Sequence, residues 1–119
     1  MMNNSLFAVA IDCADAAALA RFWADVLGRQ VAEGCTSERA VRLAGSRGTC
    51  EPCFVFNKVP EAKIAKNRLH LDLISDTFDG ETDRLLSLGA HRLGDQQAGK
   101  SRWTTFADIE GNEFDLIDG

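Results

Sequence analysis

The sequence KNRLHLDL at residues 66–73 places a strand pattern and several ionisable side chains in the same eight residues. Successive side chains of a strand point to opposite faces. The alternation therefore puts Leu69, Leu71 and Leu73 on one face and His70 and Asp72 on the other. We predict a strand with an apolar core face and a polar face, and we expect it to open the second half of a duplicated fold.

Length and composition are those of one globular domain. The chain has 119 residues, of which 45% are hydrophobic and 26% are charged, and these values argue against disordered or fibrous classes. The longest apolar run is too short to cross a bilayer, and the opening residues MMNNS lack the features of a signal peptide. We therefore expect a cytoplasmic protein with no membrane partner.

Charge argues against a nucleic-acid partner, and the cysteines are considered with it. The formal net charge is -5 and the basic residues are scattered, whereas nucleic-acid binding needs clustered positive charge, so no nucleic-acid partner is expected. Cys13, Cys35, Cys50 and Cys53 are interpreted as reduced thiols. The pair Cys50 and Cys53 has C-x-x-C spacing but lacks the second half of a zinc site, and a strand follows it where a redox motif would start a helix. Its role stays open.

The first half of the chain predicts a strand, a helix and three further strands. Phe7, Val9 and Ile11 alternate with smaller residues and mark the core face of the first strand. Asp15 occupies an N-cap position and Gly28 a C-terminal position around an apolar helical stripe. The strands are predicted at residues 6–13, 30–33, 40–43 and 53–59, and the helix is predicted between Asp15 and Gly28.

The second half repeats this order. Strands are predicted at residues 69–74, 91–93, 102–106 and 113–117, and a helix is predicted at residues 79–88. Residues 94–101 are almost devoid of apolar side chains and are predicted to form a mobile loop. Residues 108–112 are predicted to form a turn, because Gly111 and Asn112 tolerate positive φ.

These elements predict a single α+β domain over residues 1–119 that consists of two tandem βαβββ modules. Module one is expected at about residues 6–59 and module two at about residues 68–119, and the polar segment 60–67 is expected to link them. Each module should form a four-stranded sheet with a helix on one face.

The order and spacing of four motifs resemble the vicinal oxygen chelate superfamily, and within it the glyoxalase-like domains of the glyoxalase, bleomycin resistance and extradiol dioxygenase fold. The motifs are D-x-x-x-L-A-x-F-W-x-x-x-L-G at residues 15–28, R-L-H-L-D-L at 68–73, L-G-A at 88–90 and D-I-E-G-N-E-F-D-L at 108–116. The resemblance implies a curled mixed sheet that forms a cup, with the helices outside and a small molecule inside. It also implies a homodimer.

Enzymes of this superfamily hold a divalent metal such as Zn, Ni, Mn or Fe on the cup wall, whereas other members hold no metal and sequester antibiotics such as bleomycin. The resemblance makes His70 and Asp115 the matching metal ligands of module two, and His70 the catalytic candidate. Ala8 stands where module one would carry its histidine. Asp72 and Glu113 share strand faces with these two ligands and are candidate ligand-binding residues.

We therefore expect a protein that binds a small organic molecule in the cup without the complete metal site of the family. The alternative is a divalent-metal-dependent lyase, isomerase or dioxygenase that uses His70 and Asp115. Whether the protein is an enzyme stays open, because fold alone does not decide function. His70 itself is either a ligand or base, or a histidine hydrogen-bonded to Asp72 or Asp115. For Asp72, an ion pair with Arg68 is the expected role.

Three aromatic residues are candidates for the wall of the cup. Trp103 lies on a predicted strand and either faces the ligand or packs under a helix. Phe54 and Phe56 share one strand face, and they either line the cup or pack against the first helix. The sequence does not choose between these positions.

Overall fold

The computed structural model describes residues 4–36, 40–43 and 52–119. The chain divides into two compact units, Met1–Ala62 (unit 1) and Lys63–Gly119 (unit 2). Unit 1 contains β1 (Ala8–Cys13), α1 (Ala16–Leu27), β2 (Val31–Thr36), β3 (Ala40–Leu43) and β4 (Cys53–Lys58). Unit 2 contains β5 (Leu71–Ser75), α2 (Phe78–Ser87), β6 (His91–Ala98), β7 (Ser101–Ala107) and β8 (Glu113–Asp118).

Each unit is one βαβββ module, which confirms the predicted α+β fold with two tandem modules. The sheet orders are β1-β4-β3-β2 and β5-β8-β7-β6. In both sheets the first and last strands of the module pair in parallel, and the remaining pairs are antiparallel. None of the helices in the described ranges is long and apolar enough to span a membrane.

Helix α1 has the ends that the sequence predicts. The Asp15 carboxylate accepts a hydrogen bond of 3.1 Å from the Ala18 backbone N–H, which satisfies one of the unpaired donors of the first turn. Gly28 ends the helix with φ of 65°, a left-handed conformation that glycine adopts without steric cost. The apolar stripe packs against the sheet of unit 1 and buries four large side chains, Leu19, Phe22, Trp23 and Val26.

Unit 2 has its own core beneath α2. Phe106 and Phe114 stack with ring centroids 5.6 Å apart and are almost fully buried, together with Leu85 and Leu116. The predicted turn at residues 108–112 is confirmed. There the buried Asp108 carboxylate accepts hydrogen bonds from the backbone N–H groups of Glu110 and Asn112.

The prediction of a mobile loop at residues 94–101 is wrong. Strand β6 continues to Ala98, and β7 begins at Ser101 after the two-residue turn formed by Gly99 and Lys100. Gly99 has φ of 60°, the positive angle that tight hairpin turns require. The segment lacks apolar alternation because β6 is an edge strand with almost all of its side chains exposed.

Two residues predicted for the core faces lie outside it. Phe7 is 70% exposed and Leu69 is 88% exposed. Both precede their strands, since β1 begins at Ala8 and β5 begins at Leu71. The alternation of apolar and polar residues therefore extends beyond the N-terminal ends of the two strands.

Candidate functional site

Polar side chains form a row on the face of the unit 2 sheet that is opposite α2, here called the helix-free face. Asp72 is in register with Asp115, and Asp115 is in register with Thr105. Side chains at paired positions point to the same face. The residues that flank Asp115, Phe114 and Leu116, are buried in the core under α2, so this row lies on the other side.

His70 and two carboxylates converge at one end of this row. The His70 Nδ1 atom lies 2.8 Å from Asp72 Oδ1 and 3.7 Å from Asp115 Oδ2. One donor atom from each residue lies within 4.8 Å of the other two. The side chains of His70 and Asp72 are 43% and 51% exposed, so the cluster is accessible to a ligand.

Thr105 orients the least exposed of these carboxylates. Its hydroxyl donates a hydrogen bond of 2.6 Å to Asp115 Oδ1, while Asp115 Oδ2 is the oxygen nearer His70. A hydrogen bond to the non-ligating atom of a metal ligand is the usual way in which proteins fix ligand orientation. The sequence pattern did not indicate Thr105, although it shares strand parity with Trp103.

The donor set fits a divalent cation. One imidazole nitrogen and two carboxylate oxygens suit Zn, Mn or Fe. With metal–ligand bonds of about 2.0–2.2 Å, neighbouring donors lie about 3–3.5 Å apart, and the distances from His70 Nδ1, 2.8 and 3.7 Å, bracket this range. Three protein ligands also leave coordination positions for an exogenous oxygen atom.

Asp72 has one of the two partners that the sequence suggested, and Glu113 is held by neighbouring groups of unit 2. Asp72 contacts His70 rather than Arg68, its expected partner. The Glu113 carboxylate accepts a hydrogen bond of 3.1 Å from the backbone N–H of Asn67 and lies 3.0 Å from Lys63 Nζ. Glu113 thus attaches the segment that precedes β5 to the sheet.

These contacts also set the protonation of Glu113. Burial raises the pKa of its carboxyl group, but the hydrogen bonds from the Asn67 N–H and from the Lys63 ammonium outweigh burial and hold the pKa below its ordinary value. Hydrogen bonds to the charged form favour ionisation. Glu113 is therefore an ionised carboxylate that is paired with groups of unit 2.

The three aromatic candidates separate into two environments. Trp103 is half-buried and in register with Ile117, and it alternates with Thr104, whose hydroxyl bonds Asp95 on the other side of the sheet. This places Trp103 on the helix-free face. Phe54 and Phe56 are buried, at 6% and 0% exposure, so they belong to the core of unit 1 against α1.

The two modules can be aligned through their parallel strand pairs. Val9 is in register with Phe54 in unit 1, as Leu71 is with Phe114 in unit 2. With these pairs equated, the positions that match His70, Asp72 and Asp115 carry Ala8, Ala10 and Val55. The residues that cluster in unit 2 therefore have only apolar counterparts in unit 1.

A cleft of about 380 Å³ lies on the other side of unit 2, between α2 and strands β6 and β7. The Arg102 guanidinium lies 4.5 Å from the Phe78 ring centroid and donates a hydrogen bond of 2.6 Å to Asp118, which raises the pKa of Arg102. Asp95 accepts hydrogen bonds from Arg92 and Thr104. These bonds lower the pKa of its carboxyl group, and the bond from Arg92 has the larger effect. Arg92 and Arg102 are thus both engaged by carboxylates around this cleft.

The structure describes one cysteine of the predicted C-x-x-C pair. Cys50 lies outside the described residues, and Cys53 is a free thiol whose Sγ lies 3.2 Å from the Phe7 carbonyl oxygen. Cys13 is buried, and its thiol donates a hydrogen bond of 3.4 Å to the Asn57 carbonyl oxygen. The described residues therefore add no function to this motif.

Comparisons with known proteins agree with this architecture. A family model described as a glyoxalase-like domain matches residues 8–117, whereas no curated protein sequence matches the chain. A glyoxalase/bleomycin resistance/dioxygenase family enzyme from Burkholderia phytofirmans is similar in structure, with a TM-score of 0.79, 20% identity and coverage of 96% of this chain and 98% of that chain.

Two further solved structures share the fold. The lactoylglutathione lyase from Agrobacterium tumefaciens has a TM-score of 0.68 and 15% identity, covering 99% of this chain and 96% of that chain. A mutant fosfomycin resistance protein, FosX, from Listeria monocytogenes, complexed with Mn(II) and dihydroxypropylphosphonic acid, has a TM-score of 0.74 and 14% identity, covering 100% and 92%.

Tandem βαβββ modules of this kind define a protein of the vicinal oxygen chelate superfamily. Within that class, the chain belongs to the glyoxalase-like domain family, because the family model covers almost its whole length. The solved structures show the shared fold, and the particular ligand of this chain must be argued from its own residues.

Proposed function

We propose that this protein binds a small organic molecule at the helix-free face of unit 2, through a divalent cation held by His70, Asp72 and Asp115. The observation that carries the proposal is the convergence of three donor atoms within 4.8 Å. The Mn(II) in the FosX complex gives the proposal further support, since that protein shares the fold.

The proposed centre differs from the metal site of the family in its origin. All three ligands come from unit 2, and the matching positions of unit 1 are apolar. A bound cation would supply Lewis acidity to an oxygen atom of the ligand. Of the protein's own groups, Thr105 holds Asp115 in orientation, and the exposed His70 and Asp72 side chains leave the approach to the centre open.

A metal titration of the untagged protein tests this proposal. The apo protein, prepared by chelation, is titrated with Mn²⁺ by calorimetry, and we expect one equivalent to bind and to raise the melting temperature. His70→Ala and Asp115→Asn should lose this binding. His91→Ala is the matched control, because His91 is the other of the two histidines and is exposed on β6.

Two results would overturn the proposal. The first is that neither the native protein nor the His91→Ala control binds Mn²⁺, Zn²⁺ or Fe²⁺. The second is unchanged affinity in His70→Ala and Asp115→Asn when circular dichroism shows that both variants are folded.

A second candidate function is a lyase, isomerase or dioxygenase reaction at the same centre. It is supported by the exposure of His70 and Asp72, which leaves the proposed cation accessible to a substrate oxygen atom. The test is turnover of α-hydroxycarbonyl compounds and catechols by the Mn²⁺-loaded protein. We expect His70→Ala to abolish turnover because this variant loses the cation, and equal product formation by the variant would exclude a reaction at this centre.

We also propose that the protein is a cytoplasmic homodimer. Three large apolar side chains that are exposed to solvent support the dimer, since an interface would bury them: Phe7 is 70%, Ile64 95% and Leu69 88% exposed. Light scattering should give twice the monomer mass for the native protein, and Phe7→Ser with Leu69→Ser should shift it to the monomer. A monomeric native protein at 100 μM, on the order of typical assay concentrations, would refute the dimer.

A further inference from the structure

We infer that the ligand of this site has an apolar body that is uncharged or cationic, lying beside its metal-binding oxygen atoms, and that anionic bodies are rejected. This inference rests on the proposed function and specifies the ligand class for it. It follows from a second row of side chains on the helix-free face, next to the row that contains Asp72, Asp115 and Thr105.

The second row runs across all four strands of the unit 2 sheet. Ile74 is in register with Ile117, Ile117 with Trp103, and Trp103 with Gln96. This row, here called the apolar row, consists of three apolar residues, Ile74, Ile117 and Trp103, and ends at the polar Gln96 on the edge strand. Each member lies two residues along its strand from the row that contains Asp72, Asp115 and Thr105, or from the continuation of that row on β6. Two strand residues span about 6.6–6.8 Å, so a ligand held at the cluster reaches the apolar row with a body one ring long.

The apolar row is available to a ligand. Ile74 is 72% exposed, and Trp103 and Ile117 are half-buried. An indole ring and branched aliphatic side chains form the surface that ligand sites use for planar or hydrocarbon groups. The chemistry of the face therefore changes from polar at Asp115 to apolar at Ile117 and Trp103 within two strand residues.

Charge decides which bodies this surface accepts. The strand positions of the helix-free face in unit 2, all of which the structure describes, contain no lysine or arginine. The nearby Lys63 ammonium is paired with Glu113, and Arg102 points to the α2 side, over Phe78.

An anionic group placed on the apolar row would lose part of its water without gaining a cationic partner, which is unfavourable. A cation at the same place gains an attraction to the Trp103 ring. A neutral body gains apolar burial alone. The expected order of affinity is therefore that neutral and cationic ligands bind more tightly than anionic ligands of the same shape.

A matched series of catechols tests this order, because its members share one oxygen-chelating head. The probes are 4-methylcatechol, which is neutral, dopamine, which carries an ammonium group, and 3,4-dihydroxyphenylacetate, which carries a carboxylate. Each is titrated into Mn²⁺-loaded protein under argon, so that no oxidation contributes heat. We expect the neutral and cationic probes to bind at least about tenfold more tightly than the anionic probe, a difference of about 1.4 kcal/mol.

Two lysine variants show whether the apolar row sets the selectivity. Gln96→Lys adds an ammonium group to the apolar row and should raise the affinity for 3,4-dihydroxyphenylacetate about fivefold. Gln97→Lys is the matched control, because Gln97 is the next residue and pairs with Arg102, on the other face of the sheet. It should leave the order of the three probes unchanged. Both glutamines are exposed on an edge strand, so both variants should fold.

The outcomes separate this inference from the proposed function. If Mn²⁺ binds but the anionic probe is bound as tightly as the others, or no probe binds, the inference is wrong and the metal centre stands. If Gln96→Lys and Gln97→Lys change the affinities equally, selectivity does not come from the apolar row. If no metal binds in the first titration, the proposed function fails and the inference fails with it.

Discussion

The hydroxyl of Thr105 is the clearest case of one residue acting through another. It bonds Asp115 Oδ1 and so leaves Oδ2 directed to His70. Removing such an orienting hydrogen bond weakens metal binding about 10–100-fold in known sites. We expect Thr105→Val to raise the Mn²⁺ dissociation constant by about tenfold in a competition titration with a chelating dye.

The neighbouring threonine provides the control. Thr104 is buried, and its hydroxyl bonds Asp95 on the α2 side, so Thr104→Val should lower the melting temperature and leave Mn²⁺ affinity unchanged. Equal Mn²⁺ affinity in the Thr105→Val and native proteins would show that Asp115 does not need this hydrogen bond.

Glu113 should contribute to stability in a way that depends on pH. Its pKa is lowered in the folded state, so its contribution is complete above the unfolded-state pKa of about 4.3 and is lost as pH falls through the folded-state pKa. At pH 7 we expect Glu113→Gln to lower the free energy of unfolding by about 1 kcal/mol. Urea denaturation at several pH values should show this difference shrinking toward zero below pH ~4.

Glu61→Gln is the comparison for Glu113, because Glu61 is exposed in the same stretch of the chain. It should change the free energy of unfolding by less than about 0.5 kcal/mol at every pH. A Glu113→Gln difference that stays constant between pH 7 and pH ~3 would mean that charge at Glu113 does not stabilise the fold.

At the scale of elements, two helix glycines should respond to alanine with opposite signs. Gly28 ends α1 with φ of 65°, so Gly28→Ala should cost about 1 kcal/mol of strain. Gly80 lies within α2, and a β-carbon there would meet nothing within 4 Å. Gly80→Ala should therefore stabilise the protein by about 0.5 kcal/mol.

Thermal unfolding of the two alanine variants checks this prediction, since each should shift the melting temperature in its own direction. A loss of stability in Gly80→Ala would show that α2 begins with a backbone geometry that alanine does not tolerate. Because both substitutions add one methyl group, their difference isolates the backbone conformation.

The same scale shows what the sequence can predict. Helix α1 follows from its cap residues and its apolar stripe, which are local signals that physics ties directly to structure. Strand β6 does not follow, because an edge strand without a helix over it needs no apolar alternation. The sequence does contain one signal for this hairpin, the glycine of the pair Gly99 and Lys100, because glycine favours two-residue hairpin turns. In the structure these two residues connect Ala98 and Ser101, which are paired.

For the site, the sequence indicates His70, Asp72 and Asp115 through parity and resemblance, and it offers a hydrogen bond from His70 to either carboxylate, but it does not indicate the contacts of Thr105 and Glu113. Parity places side chains on a face, whereas the pairing of Asp72 with Asp115 depends on a strand register between segments far apart in the chain. For the same reason, the orienting contact from Thr105 and the attachment of Glu113 to Lys63 were visible only in the fold.

At the scale of the whole molecule, the two units share their fold but differ in the side chains at the positions of the proposed site. Both units have the same order of elements and the same parallel pairing of first and last strands. Ala8, Ala10 and Val55 occupy the positions that match the cluster of unit 2. The backbone register for a second cluster is thus present, but the ligand side chains are missing and Arg42 stands at the position that matches Thr105.

Restoring those side chains gives a prediction for the duplicated fold. The quadruple variant Ala8→His, Ala10→Asp, Val55→Asp and Arg42→Thr should raise the Mn²⁺ stoichiometry from one to two per chain, because ligand atoms at paired strand positions converge in unit 1 as they do in unit 2. The change at Arg42 removes a guanidinium in register with Val55 and places a threonine where unit 2 has Thr105. Adding His70→Ala to the quadruple variant should return the stoichiometry to one. If calorimetry gives a single site for a quadruple variant whose circular dichroism is native, equal register and an orienting threonine are not sufficient to form the centre.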